Sequence, residues 1–339
     1  MNDAPLVSIV MFTYCQERYV ADAVRSVLKQ DYANLEIIIS DDCSSDRTWE
    51  IVKAEVDAYL ARCASPVRIL LNQNDHNLGA VANFEKAVSL GAGNIVVAVA
   101  GDDIQEPFRV RRIVEAWTGH DGDVSALMHD VRTIDVNGRL LEAPLPWTPS
   151  IDHPLGAAVV YSRQLFSAFP PVRWRGASED NVYCQRARLT GEVVVIPDKL
   201  VFYRIGSGVT AFEDQDKHDR SVCQSEFYAL LQTLDDVRFA RRHRFASSAR
   251  SDEVREVAIQ KSIWCVDTWL RVGVRVPLSL RVRMFGLLVL SLKRDWKNWT
   301  VRRGLVALLL PSALREKWYR RFGDVWSCRQ FLARVLARG

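Results

Sequence analysis

Between residues 6 and 100 the chain alternates two kinds of segment. "LVSIVMFTY" (6–14), "LEIIISDD" (35–42), "VRILLN" (67–72) and "NIVVAVAGDD" (94–103) are apolar runs of strand length. Between them lie "ERYVADAVRSVLKQ", "SSDRTWEIVKAEVDAYLARC" and "GAVANFEKAVSLG". The first of these sets Val20, Ala23, Val24, Val27 and Leu28 at helical spacing, and Ser44 or Ser45 is the expected N-cap of the second. Strand and helix in strict alternation imply right-handed βαβ units. The expected fold class is therefore α/β, with a mostly parallel, doubly wound sheet.

In such sheets ligands bind beyond the carboxyl ends of the strands. Thr13, Tyr14 and Glu17 follow the first strand, Asp41 and Asp42 the second, and Asp102 and Asp103 the fourth. Each cluster alone reads as turn or cap chemistry, and Asp102–Asp103 could cap the helix expected in "PFRVRRIVEAW". Three clusters on one rim are different, because gathered like charges cost free energy without a counter-ion. Mg²⁺ or Mn²⁺, held by one or two carboxylates plus substrate phosphates, would supply it.

Other nucleotide chemistries lack their motifs. The first βα turn, "FTYCQERY", has no glycine, so the G-x-G-x-x-G of dinucleotide binding is missing. There is no GxxxxGK[ST], and no early glycine-rich basic loop of the kind a nucleotidyltransferase would use on a triphosphate. Seven scattered cysteines without CxxC read as reduced thiols of a cytoplasmic protein, and six histidines without HExxH make zinc unexpected. His76, His129 and His153 read as structural or surface residues.

Residues 120–210 suggest shorter strands, with "VNGR" (136–139) as a hairpin turn. Past residue 211 the pattern turns helical and the charge changes sign. Residues 1–210 carry 20 Lys and Arg against 27 Asp and Glu, whereas 211–339 carry 25 against 14. This divides the chain into 1–210 and 211–339. Six of the ten tryptophans lie in the last 76 residues, among arginines. Basic helical faces with Trp and Leu suit an anionic membrane interface, or else a soluble bundle with a solvated basic face. No nucleic-acid motif accompanies them. "MFGLLVLSL" and "GLVALLLP" are too short to span a bilayer, and "MNDAPLVSIVMFTY" lacks a basic leader.

Taken in order, these segments resemble a family 2 glycosyltransferase of the GT-A fold. The stretch 7–52 is similar to that family's opening strand, its helix ending in S-x-x-x-Q and its DDxSxD. "NDHNLGAVANFEKAV" resembles its N-x-N-x-G…N segment, "AGDDI" its DxD-type metal site, and "RGASEDNVYCQRARLTGEVVVIPDKLVFYR" its acidic catalytic segment. The resemblance covers roughly residues 6–210.

What the resemblance implies is an inverting transfer of a sugar from a nucleotide-diphosphate donor, UDP-linked by expectation, to a hydroxyl of a glycan or lipid-linked acceptor. Such hexosyl transfer would serve cell-surface polysaccharide assembly at the inner face of the cell membrane. Thr13, Tyr14, Glu17, Asp42 and Asp102 would surround the nucleotide. Asp103, with Asp102, would hold a divalent cation, Mn²⁺ or Mg²⁺. Asp180 would be the general base, with Glu179 beside it. Cys15 stands where Asn is common, and the metal motif reads GDD rather than D-x-D. Arg186 or Arg188 could pair with the diphosphate, and Gly156 could approach the acceptor. Donor specificity would rest on residues 72–80 and 140–180. The rival expectation is a non-catalytic nucleotide-sugar-binding or scaffold module at the membrane.

Overall fold

The computed structural model describes residues 4–64, 66–142, 150–151, 154–207 and 215–271. His153 and the basic, Trp-rich segment from 272 onward lie outside the described residues. In chain order the elements are β1 (Val7–Thr13), α1 (Val20–Val27), β2 (Leu35–Asp41), α2 (Thr48–Leu60), β3 (Arg68–Gln73), α3 (Ala80–Leu90), β4 (Ile95–Ala100), β5 (Ile104–Gln105), α4 (Arg109–Thr118), β6 (Val124–Ile134), β7 (Val159–Ser162), α5 (Gln164–Ala168), α6 (Glu179–Thr190), β8 (Glu192–Arg204), α7 (Gln215–His243) and α8 (Ser248–Arg271).

The strands form one sheet in the order β3-β2-β1-β4-β7-β6-β8-β5. β1 to β4 are mutually parallel, as the alternation predicts. β7 runs antiparallel to both β4 and β6, and β8 runs parallel to β6. β6 and β8 therefore point the same way as β1. Period-two alternation divides β1 between two core layers. Val10 packs with Ile38, Phe84 of α3 and Tyr183 of α6 on one face. Ile9 and Met11 pack with Val24 of α1, Val52 of α2 and Ile113 of α4 on the other. Val20, Ala23, Val24 and Val27 of α1 are all buried, so the apolar stripe read from the sequence is the packed face.

Three sequence expectations are corrected. Two of the three middle-region strands are not short: β6 has 11 residues and β8 has 13, kept paired by register shifts that a local pattern does not reveal, whereas β7 has 4. Neither Ser44 nor Ser45 caps α2. The helix begins at Thr48, whose amide donates to Asp46 Oδ1 at 3.0 Å, and Ser44 instead donates its hydroxyl to Asp41 Oδ1 at 2.5 Å. Asp102 and Asp103 cap nothing: β5 intervenes, and α4 starts at Arg109. The turn at 136–139 does form. Asp135 Oδ1 accepts the amides of Asn137 and Arg139, Gly138 has φ +80°, and Ile134 bridges Leu140.

Past residue 215 the described chain is helical, and α7 and α8 pack against α6. Among the described residues no helix is long and apolar enough to cross a membrane.

Candidate functional site

Strand direction brings the predicted residues to one rim. β1, β2, β4, β6 and β8 all end there, and β7, running the other way, begins there. Thr13 pairs in register with Asp41, and Phe12 with Ala100, so the three acidic or polar clusters are neighbours. Gly156 precedes β7, and Glu179 opens α6.

The first clusters are tightly built. Thr13 Oγ1 donates to Asp41 Oδ1 at 3.1 Å, and the amide of Ser44 donates to Asp41 Oδ2 at 2.9 Å. Asp42 is buried. Its Oδ1 accepts Asn74 Nδ2 and the amide of Leu78, and its Oδ2 accepts the amide of Gly79, each at 2.8 Å. Gly79 holds φ +85° there, a conformation glycine takes without steric cost. Asn83 reinforces the same knot, accepting from Ser40 Oγ at 2.6 Å and Asn74 Nδ2 at 3.0 Å. The asparagines of 74–83 thus anchor the loop over Asp42. Glu17 Oε2 accepts the amide of Arg47 at 3.0 Å, and Asp46 Oδ2 accepts the amide of Glu17 at 3.1 Å, latching the two βα turns together. Burial would raise the Asp46 carboxyl, but hydrogen bonds from the Thr48 hydroxyl and amide and the Glu17 amide outweigh it and hold it low. Tyr14 stands out from this rim, 47% exposed, as a free aromatic face.

The S-x-x-x-Q residues support the next cluster. The Gln105 amide donates to Ser26 Oγ at 3.0 Å, and Gln30 Nε2 donates to Glu106 O at 2.8 Å. The Val110 amide donates to Gln30 Oε1 at 3.1 Å. α1 thereby clamps the chain that leaves Asp102 and Asp103.

Both of those carboxylates are buried, at 8% and 2% exposure. Burial pushes Asp102 upward, against lowering contacts from Ser207, Arg204 and Gln16. Burial and then the Asp102 charge drive Asp103 well above the carboxylate range, despite Arg109 and Arg204 nearby. Arg204, at the end of β8, organises the pair. Its amide donates to Asp103 Oδ1 at 2.9 Å, its Nε to Asp102 O at 2.9 Å and its Nη1 to Asp135 O at 3.0 Å. Its guanidinium lies 4.7 Å from the centre of the Tyr19 ring.

Arg109 lies beneath, 1% exposed, donating from Nε to His129 Nε2 at 3.1 Å, from Nη2 to Ala157 O at 2.9 Å, and to Gln105 Oε1. Burial lowers it to about 9. Burial and Arg109 hold His129 well below its usual range, so its Nε2 accepts and its Nδ1–H donates to Asp130 O at 2.8 Å. His129 is the structural residue the sequence suggests. Arg204, Arg109 and Asp46 were not among the sequence candidates. A basic residue ending "VFYR" at a predicted strand terminus was the available signal for Arg204.

The surplus negative charge at Asp102 and Asp103 fits a divalent cation. Among the described residues no three His, Cys, Asp or Glu side chains form a cage. Asp102 and Asp103 are the residues that would hold Mg²⁺ or Mn²⁺, ions that take one or two protein carboxylates together with substrate phosphates and water.

Glu179 and Asp180 form the second acidic centre, half-buried at the start of α6. Burial and the Asp180 charge push Glu179 up to about 8. Burial and the Glu226 charge push Asp180 up to about 6. The two carboxyls titrate as a coupled pair, and a proton the pair keeps near neutral pH favours Glu179, the more strongly raised of the two. Gly156 lies against both: a Cβ there would sit 2.8 Å from Glu179 Oε1 and 3.7 Å from Asp180 Oδ2. A Gly156→Ala variant should displace Glu179. Because only a flexible side-chain end must move, thermal unfolding should shift by less than about 1 kcal/mol, while turnover falls roughly 10- to 100-fold. Parallel melting curves and rate measurements check this.

Arg186 and Arg188 are not free for a diphosphate. Arg186 Nε pairs with Asp236 Oδ2 at 2.8 Å inside the protein, and Arg188 Nη2 pairs with Glu253 at 2.6 Å. The helical segments past residue 215 claim both.

Known proteins agree with this architecture. Residues 8–161 match the family described as Glycosyl transferase family 2. An uncharacterized glycosyltransferase of Nostoc sp. (strain PCC 7120) is 25% identical over 218 residues, 59% of this chain and 64% of that protein. Escherichia coli WcaA, named for colanic acid biosynthesis glycosyl transfer, is 37% identical over 110 residues, 32% of this chain and 37% of that protein. The chain thus spans under two thirds of the length of these curated relatives. Among solved structures, S. aureus TarS 1–349 in complex with UDP-GlcNAc superposes with TM-score 0.57 at 17% identity, covering 94% of this chain and 93% of that one. The mannosyltransferase PcManGT from Pyrobaculum calidifontis, in complex with GDP-Man and Mn²⁺, gives 0.58 at 15% identity, covering 94% and 88%. At these identities the likeness is one of fold. Residues 8–161 are thus similar to glycosyl transferase family 2, and the chain has the GT-A fold.

Proposed function

We propose that this chain is an inverting glycosyltransferase that moves a sugar from a nucleoside-diphosphate donor to an acceptor hydroxyl. One observation carries the reading. A buried acidic pair with too little counter-charge, Asp102–Asp103, shares one rim with a second pair, Glu179–Asp180, both raised by burial, Glu179 the more. The first pair suits a cation-bridged diphosphate, and the second suits proton removal.

Asp180 takes the proton of the acceptor hydroxyl as that oxygen attacks the sugar C1 and the C1–O bond to the diphosphate breaks. Glu179, protonated, can donate a hydrogen bond to the acceptor sugar. Tyr14 offers its exposed ring to the base, and Thr13, Glu17 and Asp42 shape the pocket around it. Asp102 and Asp103 would hold the divalent cation, which supplies positive charge to the leaving diphosphate. UDP-sugar is the proposed donor class, and TarS and PcManGT are named with UDP-GlcNAc and GDP-Man respectively. A glycan or lipid-linked acceptor of cell-surface polysaccharide assembly fits the kinship with WcaA. The basic, Trp-rich segment from 272 onward would then lie on the anionic inner face of the membrane.

Calorimetric titration of UDP and GDP with and without Mn²⁺ tests the donor site. Binding of one nucleotide should strengthen with Mn²⁺, and Asp103→Asn should abolish that gain. Equal binding with and without metal would remove the cation from the reading. No binding of either nucleotide would favour a scaffold.

A further inference from the structure

We propose that Glu226 of α7 and Lys261 of α8 are positioning residues for Asp180, holding the first turn of α6 through Asn181 and opposing one another's charge beneath the carboxylate. The proposal rests on the reading of Asp180 as the base and extends it to the helices beyond residue 215.

The contacts form a continuous chain. Lys261 Nζ donates to Asn181 Oδ1 at 3.0 Å and lies 3.8 Å from Glu226 Oε2. Asn181 Nδ2 donates to Glu226 Oε1 at 2.7 Å and to Ser178 Oγ at 2.9 Å. The backbone amide of the same Asn181 donates to Asp180 Oδ1 at 2.7 Å. One asparagine therefore links three helices to the carboxylate. Lys261 and Glu226 expose only 22% and 23% of their side chains, so solvent screens them weakly.

The charged and titratable groups facing Asp180 come from four elements. Glu179 and Cys184 are on α6 itself, Tyr161 is on β7, Glu226 on α7 and Lys261 on α8. Burial holds Cys184 and Tyr161 in their neutral forms, well above their ordinary ranges. Glu179 keeps its proton at neutral pH. Among these groups the two full charges left to act on Asp180 are Glu226, which raises it, and Lys261, which lowers it. The two therefore have opposite signs of effect, which a purely structural clasp would not produce.

The test is a ¹³C-carboxylate titration of full-length protein labelled at the aspartate side chain, with Asp180 assigned by its loss in Asp180→Asn. Glu226→Gln keeps an acceptor for Asn181 and should move the Asp180 midpoint down by about half a pH unit or more. Lys261→Gln should move it up by a similar amount, and the double variant should return it close to the wild-type value. Midpoints that stay in place, or that move the same way in both single variants, overturn the proposal. If Lys261→Gln does not fold, the direction in Glu226→Gln decides alone. Turnover by Asp180→Asn is a separate readout. Full turnover there would sink the base reading without touching the charge balance measured by resonance.

Discussion

Asp180→Asn should lower kcat about 10²- to 10⁴-fold while leaving donor affinity and melting temperature near wild type. The amide is nearly the size of the carboxylate. It still accepts the Asn181 amide at Oδ1, a contact of 2.7 Å in the wild type. What it loses is the capacity to take a proton. Glu179→Gln is the informative partner. Glu179 is pushed up to about 8 and so is already neutral at pH 7. Gln copies its hydrogen bonding, and the variant should keep turnover within about tenfold. Equal losses in the two variants would mean that the pair acts as one unit and that Asp180 has no separate role.

The pH dependence follows from the same environment. Burial and Glu226 place Asp180 at about 6, so it is ionised above that value and protonated below it. A base must be ionised, hence kcat/KM should fall as pH drops through 6, tenfold per unit on the acid limb. Asp180 raised above its unfolded value also means that its ionised form costs folding stability. That cost is present above pH 6 and disappears as pH falls toward the ordinary carboxylate range. Activity and stability should therefore move in opposite directions between pH 7 and 5, which rate and melting measurements on one sample can show.

Local pattern carried the first hundred residues. β1, β2 and β4 are buried runs of Val, Ile and Ala, and α1 has one apolar stripe, so period alone located them. Parallel pairing then put Thr13, Asp41 and Gly101 on one rim without further information. The support of that rim was less legible. Arg204 reaches Asp102 across 102 positions of sequence, and Arg109 meets Ala157 across 48. For Arg204 the strand end of "VFYR" was the one local signal, and nothing local distinguishes Arg109 from the solvated arginines that follow it on α4. The serines after β2 misled for a related reason. Ser44 has the composition of a helix cap, but Asp41 competes for its hydroxyl, and the Thr48 amide that opens α2 donates to Asp46 Oδ1 instead. Arg186 looked available because its partner, Asp236, lies 50 residues later.

That partner sets the largest stability effect expected in the molecule. Arg186 and Asp236 are 1% and 5% exposed, paired through Nε–Oδ2 at 2.8 Å and Nη2–Oδ1 at 3.2 Å. Arg186 Nη2 also donates to Pro170 O at 2.8 Å, and its guanidinium lies over the rings of Phe169 and Tyr183 at 5.0 and 5.2 Å. Arg186→Met leaves the Asp236 carboxylate buried, with Gln232 at 2.9 Å as its remaining side-chain donor among the described residues. Losing one partner of a buried pair costs about 3–5 kcal/mol, a large share of the roughly 5–15 kcal/mol of a typical domain. Burial already raises Asp236, so the variant should recover stability as pH falls and the carboxyl takes a proton. Arg186→Met with Asp236→Leu removes both charges and should regain most of the loss, because the desolvation cost goes with them. Urea unfolding of the three proteins at pH 7.5 and 5.5 gives these differences. If Arg186→Met were as stable as wild type at pH 7.5, the contact between α6 and α7 would not hold the helices to the α/β core. The Glu226–Lys261 clasp on Asn181 would then have to align α6 without that anchor.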